Sequence, residues 1–241
     1  MESRFRKTIA LLKRPRFTRA VLLYGVAASV EHAYAVGFCE PRTLLDAGAN
    51  KGQFSLLFRE VRPESLIIAF EPLPQAADTF DRMFAEDELS HLQRVALAGA
   101  GGSAVLHVAD RADSSSLLTL GQGQERAFGV RESIAIEVPT RRLDDCVDFS
   151  MLPHPILLKV DVQGGEIGVF NGCGQLAEID FIYVELSFVE LYVGQPLFED
   201  VTHYLNARGF RIIGIFNQVV TAEFGPTQVD VLFGRGLTKT G

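Results

Sequence analysis

Three carboxylates carry the first indication of chemistry. Asp46 closes the run Thr43-Leu44-Leu45, Glu71 follows Leu66-Ile67-Ile68-Ala69-Phe70, and Asp161 follows Ile156-Leu157-Leu158-Lys159-Val160. Each acid stands where a short apolar strand ends, and in an open parallel sheet ligands bind beyond that edge. Asp46 leads into the turn Gly48-Ala49-Asn50-Lys51-Gly52. Gly48 lets the chain turn sharply, and Gly52 allows a close approach at the start of the next helix. The spacing is G-x-x-x-G, not the G-x-G-x-x-G that cradles a dinucleotide pyrophosphate, and Asp46 would repel such a group. A carboxylate here suits a cation, for example an α-ammonium group. Glu71 is placed to accept from both hydroxyls of a ribose.

An ammonium group and a ribose on one ligand describe S-adenosylmethionine, whose sulfonium an acidic crevice also attracts. Methyl transfer from an activated donor depends chiefly on positioning the acceptor, and a hydroxyl acceptor also needs help losing its proton. Candidate bases are Asp161, His32 and Glu185. Lys159, a charge inside an apolar strand, needs a partner and is expected to pair with an acid at the strand end. Asp113-Ser114-Ser115-Ser116 forms a hydroxyl cluster suited to a cofactor edge or a sugar. No His/Cys/Asp set has metal-ligand spacing, so no metal is assigned.

The elements that must position these residues read as follows. Residues 1–40 form a helical leader, and residues 41–241 form the catalytic domain. Phe54, Leu57, Phe58 and Val61 make one apolar helical stripe after the glycine turn. A second helix spans about Pro74–Phe84, and His91–Leu97 reads as a third strand. The β-α-β-α-β alternation predicts a parallel sheet with helices on both faces. Residues 99–142 read as an inserted hairpin with a long polar loop. The α/β pattern returns with Ile156–Val160, a helix from Glu166, the strand Phe181–Leu186 and a helix over Pro196–Arg208 ended by Gly209. Phe210–Phe216 and Gln228–Phe233 close the chain as an antiparallel hairpin at a sheet edge.

The motifs carry a family resemblance. Leu44–Phe54 (LLDAGANKGQF) and Ile67–Pro74 (IIAFEPLP) resemble the FkbM family of class I methyltransferases. So do DSSSLL at Asp113–Leu118, RLDD at Arg142–Asp145, LLKVDVQGGE at Leu157–Glu166 and YVELSFVELYVGQ at Tyr183–Gln195. The resemblance implies a Rossmann-like, seven-stranded, mostly parallel sheet, with S-adenosylmethionine as donor. It also implies O-methylation of a small molecule, sugar or glycan. The donor contacts it implies are Asp46, Gly48, Asn50, Gly52, Gln53, Glu71, Pro72, Ser115 and Asp161. A Glu-His pair is common before the first strand of the family, which supports His32. Gly165 departs from the pattern, where a bulky residue is expected.

Charge and composition bound the alternatives. The 241 residues carry a net charge of −7. Residues 1–20 hold seven Lys/Arg against one acid, leaving an acidic body at −13. An acidic body disfavours a phosphate backbone as partner, which lowers an RNA methyltransferase reading. A protein methyltransferase, an NAD-dependent oxidoreductase and a non-catalytic cofactor-binding domain are the other readings weighed. The basic leader is the candidate for peripheral membrane contact. Gly25 and Ser29 dilute the apolar run Ala20–Val30, which argues against a secretory signal. Cys39, Cys146 and Cys173 form no Cys-x-x-Cys pair, so reduced thiols and a cytoplasmic location are expected. Neither acceptor identity nor oligomeric state is legible.

Overall fold

The computed structural model describes residues 14–235. The chain opens with α1 (Pro15–Tyr24), a 3₁₀ turn (Val30–His32) and α2 (Ala33–Cys39). Then follow β1 (Thr43–Ala47), α3 (Gln53–Val61), β2 (Leu66–Phe70), α4 (Pro74–Met83) and β3 (Ser90–Gln93). The insertion contains β4 (Ala96–Leu97), β5 (Gly102–Ala109), α5 (Gln122–Phe128) and β6 (Glu132–Arg141). The second half holds β7 (Ile156–Val160), α6 (Glu166–Asn171), β8 (Phe181–Ser187), α7 (Phe198–Asn206), β9 (Phe210–Thr221) and β10 (Gly225–Arg235).

Seven strands form the main sheet in the order β3-β2-β1-β7-β8-β10-β9. The first five are parallel, and β10 runs antiparallel to both of its neighbours. Strand order reverses between β1 and β7, which places a crevice above their carboxyl ends. β1 and β7 are buried at every position, as strands covered on both faces must be. Their alternation still sorts side chains. Leu45, Leu158 and Ile182 face a core that includes Phe170 of α6 and Val201 and Leu205 of α7. Leu44, Leu157, Tyr183 and Leu232 face the core that holds Phe54 and Leu57 of α3 and Phe80 of α4. By the same alternation, Asp46, Lys159, Glu185 and Asp230 project from this second face at its crevice end.

The run 91–97 is not one strand. Val95 N donates to Gln93 O at 2.9 Å, and this tight turn carries the chain out of the main sheet. Ala96–Leu97 instead joins β6 in a three-stranded sheet, β4-β6-β5. Within the insertion β5 pairs antiparallel with β6, and their connection contains a 3₁₀ turn at Ala112–Ser114 as well as α5. The terminal strands extend beyond their apolar runs, because exposed residues continue the β9–β10 pairing to Thr221 and Gly225.

Residues 15–39 share a core with the sheet. Phe17, Ala20, Val26, Ala28, Val36 and Cys39 are buried in the cluster that contains Leu44 and Phe54. Packing is therefore continuous across position 40. Of the basic leader, Arg4, Arg6, Lys7 and Lys13 lie outside the described residues. Arg14 and Arg19 meet Glu60 and Glu86 at 3.3 and 3.9 Å, and Arg16 donates to Arg59 O. No helix among the described residues is long and apolar enough to cross a membrane.

Candidate active site

A cavity of about 510 Å³ opens above the carboxyl ends of β1, β2, β7 and β8. The turn after β1 forms one wall, the loop 112–118 of the insertion roofs it, and β9 and β10 contribute the far side. This is a size suited to a small-molecule ligand.

Glu71 is held firmly at the wall. Its Oε1 accepts from Leu73 N at 2.7 Å and its Oε2 from Asn50 N at 2.8 Å. Each oxygen is thus oriented by a backbone amide and keeps a second lone pair for a ligand. Burial raises the Glu71 pKa to about 7, against the pull of the two amides and of Lys159. Asn50 holds the turn in a left-handed conformation, φ 49°, a region it tolerates better than most residues. Pro72, Ser115 and Gln53 also line the cavity. Ser115 Oγ accepts from Ala109 N at 3.2 Å. Gln53 Oε1 is buried without a hydrogen-bond partner among the described residues, a costly state that a ligand donor would relieve.

Two expected donor contacts are redirected. Asp46 is fully buried and is absent from the cavity wall. Its Oδ2 accepts from Ser55 Oγ at 2.7 Å, and Lys159 Nζ lies 3.2 Å from Oδ1. Alternation along β1 turns the side chain toward α3, so its charge serves Lys159. Gly52 also faces away from the cavity: a Cβ there would strike Phe80, Met83 and Phe84 at 2.8–2.9 Å. Its role is to seat the start of α3 against α4. Gly48 lines the cavity with φ +75°, and a Cβ would lie 1.9 Å from Asp161 O. It lets the β1 turn pass under the β7 turn.

Lys159 pairs as expected, and more extensively. Besides Asp46 it lies 3.7 Å from Asp161 Oδ2 and donates to Gly48 O at 2.8 Å. Burial opposes its charge, but Asp46 and Asp161 outweigh that and raise its pKa. Asp161 and Glu185 meet through one carboxamide. Gln163 Nε2 donates to Asp161 Oδ1 at 2.6 Å and to Glu185 Oε2 at 3.1 Å. Gln228 Nε2 donates to the same Glu185 oxygen at 2.8 Å. Burial, with Asp161 and Asp230 nearby, drives the Glu185 pKa well above the carboxylate range. Gln163 itself sits at φ +57°, a strained conformation for a non-glycine residue. Its Oε1 accepts from Tyr192 Oη at 2.7 Å, and its backbone carbonyl accepts from Ser116 Oγ at 2.6 Å. The roof loop and the two cavity acids are therefore joined through Gln163.

His32 lies at the far side, its Nδ1 2.9 Å from Tyr183 Oη. Asn217 and Asp230 complete this group. Neither residue was singled out in the sequence. Asp230 did carry a signal, as the one acid within the strand Gly225–Arg235. Gly165 lines the cavity as well, so the missing bulky side chain leaves space there. The helix start is intact, with Glu166 Oε1 accepting from Gly164 N at 2.9 Å.

The strand order, the antiparallel β10 and the crevice-edge site define the class I methyltransferase fold. A putative rRNA methylase from Clostridium thermocellum shares the architecture, with a TM-score of 0.50 at 9% identity over 87% of this chain and 96% of that one. The Methyltransferase FkbM domain model matches residues 46–212, and the chain belongs to that family of methyltransferases. Methyltransferase 1 of Beauveria bassiana is 27% identical over 200 residues, 76% of this chain and 78% of that protein. The 2-O-methyltransferase NoeI of Sinorhizobium fredii is 32% identical over 160 residues, 63% of this chain and 66% of that protein.

Proposed function

We propose that the protein is an S-adenosylmethionine-dependent O-methyltransferase acting on a hydroxyl of a small molecule, sugar or glycan. The observation that carries this reading is Glu71, whose two oxygens are each fixed by a backbone amide and face the cavity with lone pairs to spare. That arrangement suits a vicinal diol, as on a ribose. When bound, S-adenosylmethionine would supply a methyl group already activated by its sulfonium.

This chain's residues then divide the work. Glu71, the turn Gly48–Asn50, Gln53 and Ser115 hold the nucleoside side, with Gln53 Oε1 given the donor it lacks. Asp161 lines the cavity and is joined to Glu185 through Gln163. Gln163, Glu185 and Asn217 offer a row of hydrogen-bonding groups suited to a polyol acceptor. Resemblance to a relative named a 2-O-methyltransferase supports an oxygen acceptor. Calorimetric titration with S-adenosylmethionine tests the donor assignment: saturable heat with the wild type and strong weakening in Glu71→Ala are expected. A folded protein giving no heat at millimolar ligand would contradict it.

A further inference from the structure

A second polar cluster lines the cavity apart from the residues that hold the donor. His32 Nδ1 lies 2.9 Å from Tyr183 Oη, 3.0 Å from Asn217 Nδ2 and 3.3 Å from Asp230 Oδ2. Asp230 Oδ2 in turn accepts from Asn217 Nδ2 at 2.8 Å and from Tyr183 Oη at 3.1 Å. The four residues come from the 3₁₀ turn, β8, β9 and β10, and all four line the cavity. The imidazole is clamped, with Phe54 and Tyr183 ring centroids at 5.4 and 5.5 Å.

A proton inventory of this cluster selects a tautomer. An ionised Asp230 only accepts. Tyr183 has a single proton, and it goes to Asp230. Burial and Asp230 both raise the Tyr183 pKa, so the phenol keeps that proton. Its oxygen is left as an acceptor facing His32 Nδ1. A phenol oxygen and a carboxylate on the same side of the ring hold a proton on Nδ1 and leave the lone pair on Nε2. Asn217 Nδ2 lies 2.8 Å from Asp230 Oδ2 and 3.3 Å from Tyr183 Oη, so its two hydrogens go to those oxygens and leave the Nδ1 proton in place.

We propose that His32 is the general base for the acceptor hydroxyl, and that Asp230, Tyr183 and Asn217 are positioning residues that hold its Nδ1–H tautomer. This rests on the O-methyltransferase reading above. The acceptor oxygen gains its bond to the methyl carbon as the carbon–sulfur bond breaks. Its O–H proton passes to His32 Nε2, and the imidazolium later releases it to solvent. Asp230 steadies the imidazolium without taking the proton, the logic by which an orienting carboxylate serves a catalytic histidine. The other two candidate bases are less suited. Glu185 Oε2 is already engaged by Gln163 Nε2 and Gln228 Nε2 at 3.1 and 2.8 Å. Asp161 Oδ1 is engaged at 2.6 Å by Gln163, and its Oδ2 lies beside Lys159.

The test reads the tautomer directly. Nitrogen-15 histidine spectra of the full chain, with His32 assigned by its loss in His32→Gln, should show Nδ1 protonated and Nε2 bare. Asp230→Asn should shift His32 toward the Nε2–H form. A wild-type Nε2–H tautomer, or one that Asp230→Asn leaves unmoved, overturns the proposal. Methyl incorporation from labelled donor into a glycan and metabolite extract should fall about 100-fold or more in His32→Gln and Asp230→Asn. S-adenosylhomocysteine affinity should stay within about threefold, since neither residue is placed on the donor. Tyr183→Phe, which removes the oxygen facing His32 Nδ1, supplies the same readings if Asp230→Asn fails to fold. Wild-type protein that binds no S-adenosylhomocysteine defeats the methyltransferase reading itself. Donor binding with the wrong tautomer defeats only the role of His32.

Discussion

Asp46 and Lys159 are register partners on adjacent parallel strands, and the Lys159 ammonium lies 3.2 Å from Asp46 Oδ1. The first acid of the glycine-turn motif thus neutralises a buried cation and, with Ser55, anchors the switch point of the sheet. Breaking one partner of such a pair strands the other charge, at about 3–5 kcal/mol. Lys159→Met should lower stability by about that amount in urea unfolding. The double variant Lys159→Met with Asp46→Asn should recover part of the loss. Additive losses would show that the two groups are not coupled.

Gly48 and Gly25 share a positive φ, +75° and +66°, but differ in surroundings. A Cβ on Gly48 would meet Asp161 O at 1.9 Å, whereas one on Gly25 would meet nothing within 4 Å. Gly25→Ala should cost only its backbone strain, about 1–2 kcal/mol. Gly48→Ala adds a backbone collision and should cost at least about 3 kcal/mol. Thermal unfolding of the two variants checks the ordering, and Gly48→Ala should also weaken donor binding by displacing the Asp161 turn.

Glu71 and Glu166 both have their pKa raised to about 7, chiefly by burial. The folded state therefore favours their protonated forms more than the unfolded chain does. Their contribution to stability is full below the ordinary carboxylate range. It is lost as pH rises toward 7 and is flat above that. Glu166→Gln mimics the protonated form, so its stability relative to wild type should rise by up to roughly 3 kcal/mol between about pH 5 and about pH 8. For Glu71 the ligand counts as well: a diol needs the carboxylate, so S-adenosylhomocysteine should bind more tightly as pH rises through 7. Calorimetry across that range checks the sign, and weakening with rising pH would contradict it.

Asp161 and Glu185 share the Gln163 carboxamide near the cavity centre. Asp161→Ala should reduce turnover by at least about 100-fold, through loss of acceptor positioning and not of a base, and alter donor affinity far less. Single-turnover rates beside binding constants separate the two. Equal loss of both would place Asp161 on the donor instead.

The elements of the fold were legible because apolar runs such as Ile156–Val160 and the stripe Phe54–Val61 have the periods of strand and helix. Strand neighbours were less so. Asp46 and Lys159 meet across 113 positions of sequence, and a run buried on both faces gives no alternation to show which way an acid at its end points. Asp46 and an acid that faces the crevice therefore look alike in sequence. Glu71 differed because it lies just past β2, where the chain has left the sheet and the side chain is free to turn into the cavity. Asn217 and Asp230 went unread because they join His32 only through the β9–β10 hairpin, and their roles depend on that pairing. Gly52 was recognised as a close approach, but the sequence could not say that α4, not a ligand, approaches it.

Methyl transfer from S-adenosylmethionine to a hydroxyl is tested most directly by product mass spectrometry. The protein would be incubated with donor carrying a deuterated methyl group and a glycan and metabolite extract. The expected product gains one labelled methyl as an ether, with S-adenosylhomocysteine formed in equal amount and both lost in Glu71→Ala. Label found on nitrogen or carbon, or donor bound by folded protein without transfer to any component of an extract rich in hydroxyl acceptors, would contradict it.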